Sequence, residues 1–482
     1  MVKELADILA PGRRVHFVGI GGCGMSAIAQ VLLSLGYKVS GSDIKESAHT
    51  IRLKELGAAV YIGHAAANIR GAQAIVYTSA VDDANPEMRE AASLRLPVLA
   101  RARVLGYLMS LYPKSVAVAG THGKTTTSSM LAVVLAQLGC DPTFMIGGEV
   151  IDLNSNGVCG RSEYFVAEAD ESDSSIQFLD PGIFILNNIE KDHLDHFAGL
   201  DDIVGLFERC VDTLIRRPEH LLIFNPEQWG NKLLAKRLAA KPGLNLRTFG
   251  LSAGVNYQAA NIRCKEQGSI FTVLKDGALI GELELSVPGE HNVLNALAVL
   301  TAAMHFGLEF NQVKTAIVTF TGAKRRFTFI GQSQRIKVYD DYAHHPTEIR
   351  ATLSAARNVF PNSRIFCVFQ PHRYSRTMHF LSEFAESLSL ADKVFVAGIY
   401  AAGEKPIPGV DAREIVHKMN SPQKAVYVEK KEEAVNLALQ ELKAGDVFFT
   451  LGAGDIHVLG KEILNRLRAA KLKNAKTTIR IA

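Results

Sequence analysis

Short strand-like runs, apolar or alternating, recur along this chain, and most end abruptly in glycine or polar residues. Toward the start they occupy residues 15–18, 37–40, 74–78 and 97–99. Three more follow at 116–119, 164–167 and 184–188, and four others at 336–339, 365–369, 393–397 and 447–451. Helical spacing intervenes up to Leu35, over 51–56 and over 86–94, and again over 126–138, where Met130, Leu131, Val134, Leu135 and Leu138 share one stripe. Buried strands alternating with helices predict an α/β protein with parallel sheets, whose ligands gather at the carboxyl ends of the strands. With 482 residues the chain is long enough for about three domains of roughly 150 residues each. Shifts in the pattern divide it into residues 1–111, 112–322 and 323–482, with 105–113 as a bridge.

The stretch S-V-A-V-A-G-T-H-G-K-T-T-T-S-S-M carries the clearest chemistry. Gly120, Thr121, His122, Gly123, Lys124, Thr125 and Thr126 lie between a strand and a helix. Glycines there let backbone N–H groups close on an anion, and the helix N-terminus adds a favourable dipole. A lysine in this position suits the β- and γ-phosphates of a nucleotide, and the Thr125 hydroxyl suits Mg²⁺. The motif is shortened to G-x-x-G-K-T, because Val118 stands where a first glycine usually falls. A plain strand-to-helix turn is the bland alternative.

A second glycine loop follows the first strand: G-I-G-G-C-G-M-S, with Gly19, Gly21 and Gly24 spaced as G-x-G-x-x-G. In that context it predicts a Rossmann-like site for a nucleotide diphosphate. It does not specify NAD, since any pyrophosphate, a UDP-sugar's included, suits such a helix start. Asp43 falls where a ribose-binding acid should stand.

Acids and histidines crowd other strand ends. Glu168-Ala169-Asp170-Glu171-Ser172-Asp173 suits Mg²⁺ on a nucleotide. Glu190 to His196 adds two histidines and two aspartates. Asn292 and Asn295, three apart, share one face of a helix opened by Gly289. In the last third the strands end in D-D-Y-A-H-H-P-T-E, Q-P-H-R-Y-S-R, G-I-Y and G-A-G-D. Solvated polar loops are the competing reading for each cluster taken singly.

Composition narrows the classes. A net charge of +4 is small for this length and carries no nucleic-acid signal. The basic C-terminal residues (Arg466, Arg468, Lys471, Lys473, Lys476, Arg480) read as a solvated helix and tail. The six cysteines are scattered with no C-x-x-C pair, which fits a reducing cytoplasm. Neither a signal peptide nor a membrane-spanning run is evident, so no membrane insertion is expected.

Taken together, nine motifs in order resemble the Mur ligase family: G-I-G-G-C-G-M-S, A-G-T-H-G-K-T-T-T, E-A-D-E-S-D, N-I-E-K-D-H-L-D, H-N-V-L-N, R-R-F, D-D-Y-A-H-H-P-T-E, F-Q-P-H-R-Y-S-R-T and G-A-G-D. The resemblance covers nearly the whole chain and is strongest to the alanine-adding member. It implies a Rossmann-like N-terminal domain for the UDP-sugar, a central P-loop ATPase-like domain and a Rossmann-like C-terminal domain that closes over ATP and amino acid. The implied reaction joins L-alanine to the lactyl carboxylate of UDP-N-acetylmuramate through an acyl phosphate, with ATP and Mg²⁺. By the same resemblance, Lys124 neutralises phosphates, Thr125 and Glu168 hold one Mg²⁺, and His193 helps hold a second. Asn292, Asn295, Arg326 and Asp341 grip the adenosine end of ATP. Gly19, Gly21, Gly22, Gly24 and Ser26 cradle the UDP pyrophosphate, with Asp43 and His64 near the nucleoside. His345, His372, Arg373 and Arg376 serve the alanine carboxylate and the γ-phosphate. No lysine lies between Lys191 and Lys232 to be carbamylated, as one is in members that add later residues. A monomer or homodimer is expected. A murein-recycling ligase, an NAD-dependent dehydrogenase and a non-catalytic nucleotide switch are the rival readings.

Overall fold

The computed structural model describes residues 2–10, 12–78, 80–82, 84–172, 174–194, 196–266 and 268–481, with side chains except at 2–4, 422 and 471–481. Asp173, Asp195 and the side chains of the basic tail beyond Arg468 thus lie outside the described residues.

Three sheets are present. The first comprises β1 (Arg14–Val18), β2 (Lys38–Asp43), β3 (Ala59–Ile62), β4 (Ala74–Tyr77) and β5 (Val98–Ala100). All are parallel, in the order β3-β2-β1-β4-β5. The central β1 buries Val15, Phe17 and Val18, which makes its run legible. The order reverses beside β1, the switch point at which such sheets bind ligands. From there Gly19, at φ +85°, turns the chain toward the helix Cys23–Ser34. Two features differ from expectation. Strand β3 was not anticipated, and it lies mostly exposed at the sheet edge. The bridge over 105–113 is largely the helix Arg101–Ser110.

The second sheet has ten strands: β6 (Lys114–Ala119), β7 (Thr143–Val150), β8 (Ser155–Val158), β9 (Tyr164–Glu168), β10 (Ile183–Leu186), β11 (Leu221–Phe224), β12 (Leu246–Gly250), β13 (Tyr257–Lys265), β14 (Gly268–Lys275) and β15 (Ala278–Leu285). Their order is β15-β14-β13-β12-β11-β10-β6-β9-β7-β8. Central β6 pairs in parallel with β9 and β10, setting Val118 beside Glu168 and Ala119 beside Leu186. That register brings the Gly120 loop, the acidic run and Asn187 to one sheet edge.

The third sheet holds β16 (Thr328–Ser333), β17 (Ile336–Asp341), β18 (Ile365–Phe369), β19 (Lys393–Ala397), β20 (Ala425–Val428) and β21 (Val447–Leu451), ordered β16-β17-β21-β18-β19-β20. Only β16 runs antiparallel to its neighbour.

One apolar cluster runs from Phe17 and Met25 through Phe165 to Phe207, so the first two sheets share a core. The Asn156 amide also donates to Cys23 O at 2.8 Å and to Ser26 Oγ at 3.1 Å across them. The third sheet has clusters of its own around Phe369 and Phe449 and around Phe366 and Phe448, with Leu194 of the second segment packed on the former. Among the described residues no helix is long and apolar enough to cross a membrane.

Candidate functional site

The loop after β6 leads into the helix Lys124–Gln137. Gly120 and Gly123 have φ of +122° and +80°, where a side chain is strained. A Cβ at Gly120 would sit 2.8 Å from Asn188 O, and one at Gly123 would sit 2.6 Å from Asn295 Oδ1. Asn188 fixes the loop from outside, accepting Thr121 N–H at its carbonyl and His122 N–H at its side chain. Among the described residues, the N–H groups of Gly123, Lys124, Thr125 and Thr126 take no protein acceptor, leaving an anion cradle at the helix start.

Lys124 Nζ donates to Gly120 O at 2.7 Å and to both Glu171 carboxylate oxygens at 2.9 and 3.0 Å. Burial disfavours its charge, but Glu171 and Asp170 outweigh that and raise its pKa above the ordinary lysine range. Burial also raises Glu171 to about 7, against the pull of Lys124. Sequence reading gave Glu171 no role of its own.

Thr125 Oγ1 donates to Glu168 Oε2 at 2.9 Å, and Gly147 N–H donates to the same oxygen. A Cβ at Gly147 would lie 2.9 Å from that carboxylate. A hydroxyl beside a carboxylate, kept clear by glycine, is a hard-oxygen donor set suited to Mg²⁺. His193 stands apart from this pair, at φ +52° with Nε2 3.8 Å from Asp192 Oδ2. Burial lowers its pKa, which favours a neutral ring nitrogen able to act as a ligand.

A cavity opens beside the loop. Its lining joins Asn292, Asn295, Arg326 and Asp341, all expected there, to Phe249 and Leu294 on an apolar flank. Asn295 Nδ2 donates to Asn292 Oδ1 at 3.3 Å, as a shared helix face requires. Asp341 accepts from Phe327 N–H and Thr352 Oγ1, and burial lifts it to about 6. Phe249, Asn225 and Ala351 come from elements outside the motifs, so sequence offered no signal for them.

His122 lies at the rim between two carboxylates, 3.6 Å from Glu190 and 3.5 Å from Glu348. Its ring packs on His345, with centroids 4.7 Å apart. Ligand atoms of His122, Glu190 and His345 fall within 4.8 Å of one another. They suit an ionic contact better than a metal, because His345 is already spoken for. Its Nδ1 accepts Thr347 N–H, and Nε2 therefore donates to Lys191 O. Burial opposes charge on His122, but the two carboxylates hold its pKa up to about 9, from an ordinary 6.5. The resulting stability is complete below 6.5 and is lost as pH rises through about 9. The melting temperature is expected to fall across that window, and His122→Gln is expected to flatten the dependence.

Arg376 reaches across from the third sheet. It donates to Asp192 Oδ1 at 2.7 and 3.3 Å, and both side chains are buried. Its other nitrogen meets His372 Nδ1 at 3.4 Å. His372 stacks on Tyr400, and burial lowers its pKa to about 3. Arg373, at φ +70°, lines a small cleft with Arg376, Asp192 and His193. His345 instead sits at the cavity rim with His122.

In the first domain a cleft is lined by Gly22, Cys23, Gly24, Met25 and Arg101, facing Glu168 and Asp170. Gly19 N–H donates to Ser42 O, Gly21 N–H to Asp43 Oδ2 and Gly22 N–H to Gly19 O. Ser26 Oγ donates to Cys23 O. These groups expected to cradle an anion are therefore engaged within the protein and shape the loop. Among the described residues, the N–H groups left without a protein acceptor are those of Cys23, Gly24 and Met25. Arg101, which sequence reading missed, lies so near that a Cβ at Gly24 would be 2.5 Å from its Nη1. His64 meets Ser42 Oγ at 2.9 Å, at the end of the neighbouring strands.

Comparisons with known proteins agree with this layout. Residues 14–113 match the family described as "Mur ligase family, catalytic domain", 118–303 the Mur ligase middle domain, and 325–454 the "Mur ligase, glutamate ligase domain". The UDP-N-acetylmuramate–L-alanine ligase of Pelotomaculum thermopropionicum is 44% identical over 461 residues, spanning 95% of this chain and 98% of that one. The crystal structure of UDP-N-acetylmuramate-alanine ligase from Thermotoga maritima superposes with a TM-score of 0.79 at 33% identity, covering 95% of this chain and 99% of that one. A murein peptide ligase from Psychrobacter arcticus gives 0.68 at 26% identity, covering 95% and 99%. With three matching segments in sequence order, and likeness over nearly the full length of such relatives, this chain belongs to the Mur ligase family.

Proposed function

We propose that this protein is an ATP-dependent amide ligase that joins L-alanine to the lactyl carboxylate of UDP-N-acetylmuramate in peptidoglycan precursor synthesis. The observation that carries the reading is one convergence. Lys124 and its ring of open N–H groups face the acidic run after β9, and Arg376 and His372 of the third sheet close on the same strand ends. Nearly full-length likeness to alanine-adding relatives, at 44% identity, supports the choice of amino acid over a recycling peptide. Residues 1–111, 112–322 and 323–482 are the corresponding domains.

A carboxylate is a poor acyl donor, so it is first phosphorylated by ATP, and the alanine amine then attacks the acyl phosphate. Both partners of the first step are anions. Lys124 and the open N–H groups neutralise the β- and γ-phosphates and the charge that develops on the moving phosphoryl group. Asn292, Asn295, Arg326 and Asp341 hold the adenosine end in the cavity beside the loop. Cys23, Gly24 and Met25 present N–H groups to the UDP diphosphate, with Arg101 as its counter-charge. Gly19, Gly21, Gly22, Ser26 and Asp43 fix that loop, and His64 borders the nucleoside. His372, Arg373 and Arg376 orient the alanine carboxylate and the γ-phosphate, with His345 buttressing the closed arrangement.

Thr125 and Glu168 would hold Mg²⁺, with His193 toward a second ion, and these ions would offset phosphate charge when bound. Glu168→Gln removes one anionic ligand. It is expected to raise the Mg²⁺ concentration for half-maximal activity several-fold, and an unchanged requirement would take Glu168 out of the metal shell.

The test is phosphate release from ATP and Mg²⁺ with UDP-N-acetylmuramate and each amino acid in turn. Release that requires both the sugar and L-alanine supports the reading. Release with the stem tripeptide but not alanine would move the protein to the recycling ligases.

A further inference from the structure

Glu87 has no part in the reaction above, yet its carboxylate is fully buried at the carboxyl ends of the first sheet's strands. It lies in the first turn of the helix Pro86–Ser93, its N–H donated to the capping side chain of Asn85. One oxygen accepts Asn68 Nδ2–H at 2.6 Å and Ala65 N–H at 3.3 Å. The other accepts Ser42 Oγ–H at 2.5 Å and lies 3.4 Å from His64 Nδ1 and 3.5 Å from His16 Nε2. Both carboxylate oxygens are thus committed to β1, to β2 and to the segment that follows β3. Burial alone would raise its pKa, but the facing His16 and the hydrogen bonds from Ser42 and Asn68 outweigh that and bring it to about 2.

A buried carboxylate is a poor way to stabilise a fold, since packed apolar groups serve as well or better. Its geometry does something apolar groups cannot. Because Ser42 donates its one hydroxyl proton to Glu87, Ser42 Oγ must accept at its 2.9 Å contact with His64. His64 Nδ1 therefore carries the proton, and Nε2 is the ring nitrogen this network leaves open. Ser42 also precedes Asp43, whose carboxylate holds Gly21 N–H in the glycine loop.

We propose that Glu87 is a positioning residue for the UDP-sugar site, fixing the tautomer and orientation of His64 through Ser42 and anchoring the 65–68 segment. The proposal rests on the reading above that the first domain binds the UDP-sugar and that His64 borders it.

Glu87→Gln tests it sharply, because the shape is kept and the direction of the hydrogen bonds is reversed. An amide N–H facing Ser42 turns the hydroxyl toward His64 and forces Nδ1 to accept. The full chain should then show a KM for UDP-N-acetylmuramate raised about tenfold, with kcat and the KM values for ATP and L-alanine within about twofold. Nitrogen NMR of His64 should report the opposite tautomer. Ser42→Ala, which cuts the link but leaves the Asn68 and Ala65 contacts, should raise the same KM and serves if Glu87→Gln does not fold. His64→Ala separates the two ideas. If it weakens UDP-N-acetylmuramate binding while Glu87→Gln and Ser42→Ala leave KM unchanged, the positioning role is overturned and the site reading stands. If His64→Ala binds the UDP-sugar as tightly as the parent, the placement of His64 fails, and this proposal fails with it.

Discussion

Lys124→Ala is expected to lower kcat by at least about 10²–10³-fold, the range seen when one preorganised electrostatic donor is removed. The lysine is held by two backbone carbonyls of its own loop and by both oxygens of Glu171, so its charge is delivered to one place. Among the described residues, Arg101 and Arg376 stand at the adjoining clefts and His122 is committed to Glu190 and Glu348, so none of these cations takes its place. The fold should survive. Glu171 already sits at about 7, and without its lysine it takes up a proton rather than remain a buried unpaired anion. Binding of UDP-N-acetylmuramate should also persist, because its glycine loop belongs to a different sheet. Calorimetry of the sugar with a turnover assay on the same preparation checks both halves. Parental activity would remove this loop from the phosphate site.

Arg376→Ala carries the second large effect. Its guanidinium and Asp192 form a buried ion pair across two sheets, and His372 touches the remaining nitrogen. Removing one member of a buried pair costs about 3–5 kcal/mol, because the other charge is stranded. Here the loss falls on the docking of the third sheet against the second, so the variant should be cut more readily by protease between them and should turn over poorly. Arg376→Lys should rescue little, since a single ammonium cannot span both partners. The double change Asp192→Asn with Arg376→Ala separates docking from chemistry. Recovered protease resistance without recovered turnover would assign Arg376 to the reacting groups as well. Full activity of Arg376→Ala would dismiss both roles.

Much of this was legible in the sequence where a buried strand meets a functional loop. Residues 116–119 read as a strand because β6 is covered on both faces, and the glycines after it stand at positive φ where other residues are strained. Pairing of Asn292 with Asn295 followed from helix geometry alone. Other parts were hidden for physical reasons. The β3 run is short, and its edge position leaves it largely exposed. Strands β13 to β15 form a meander whose alternating inward residues, such as Phe271 and Val273, make no continuous apolar run. The Asp192–Arg376 pair spans 184 positions, and His122 meets Glu348 from a different sheet. No local pattern encodes such contacts. Nor could spacing reveal that Gly21 N–H is taken by Asp43, or that Cys23 and Met25 keep open donors beside the expected Gly24.

The central claim is that the sugar's carboxylate attacks ATP before alanine is joined, and isotope transfer tests it most directly. UDP-N-acetylmuramate carrying heavy oxygen in its lactyl carboxylate is turned over with ATP, Mg²⁺ and L-alanine, and the released phosphate is examined by mass spectrometry. The account predicts that one labelled oxygen appears in the phosphate for each amide formed. Phosphate free of label, with amide still made, would contradict it.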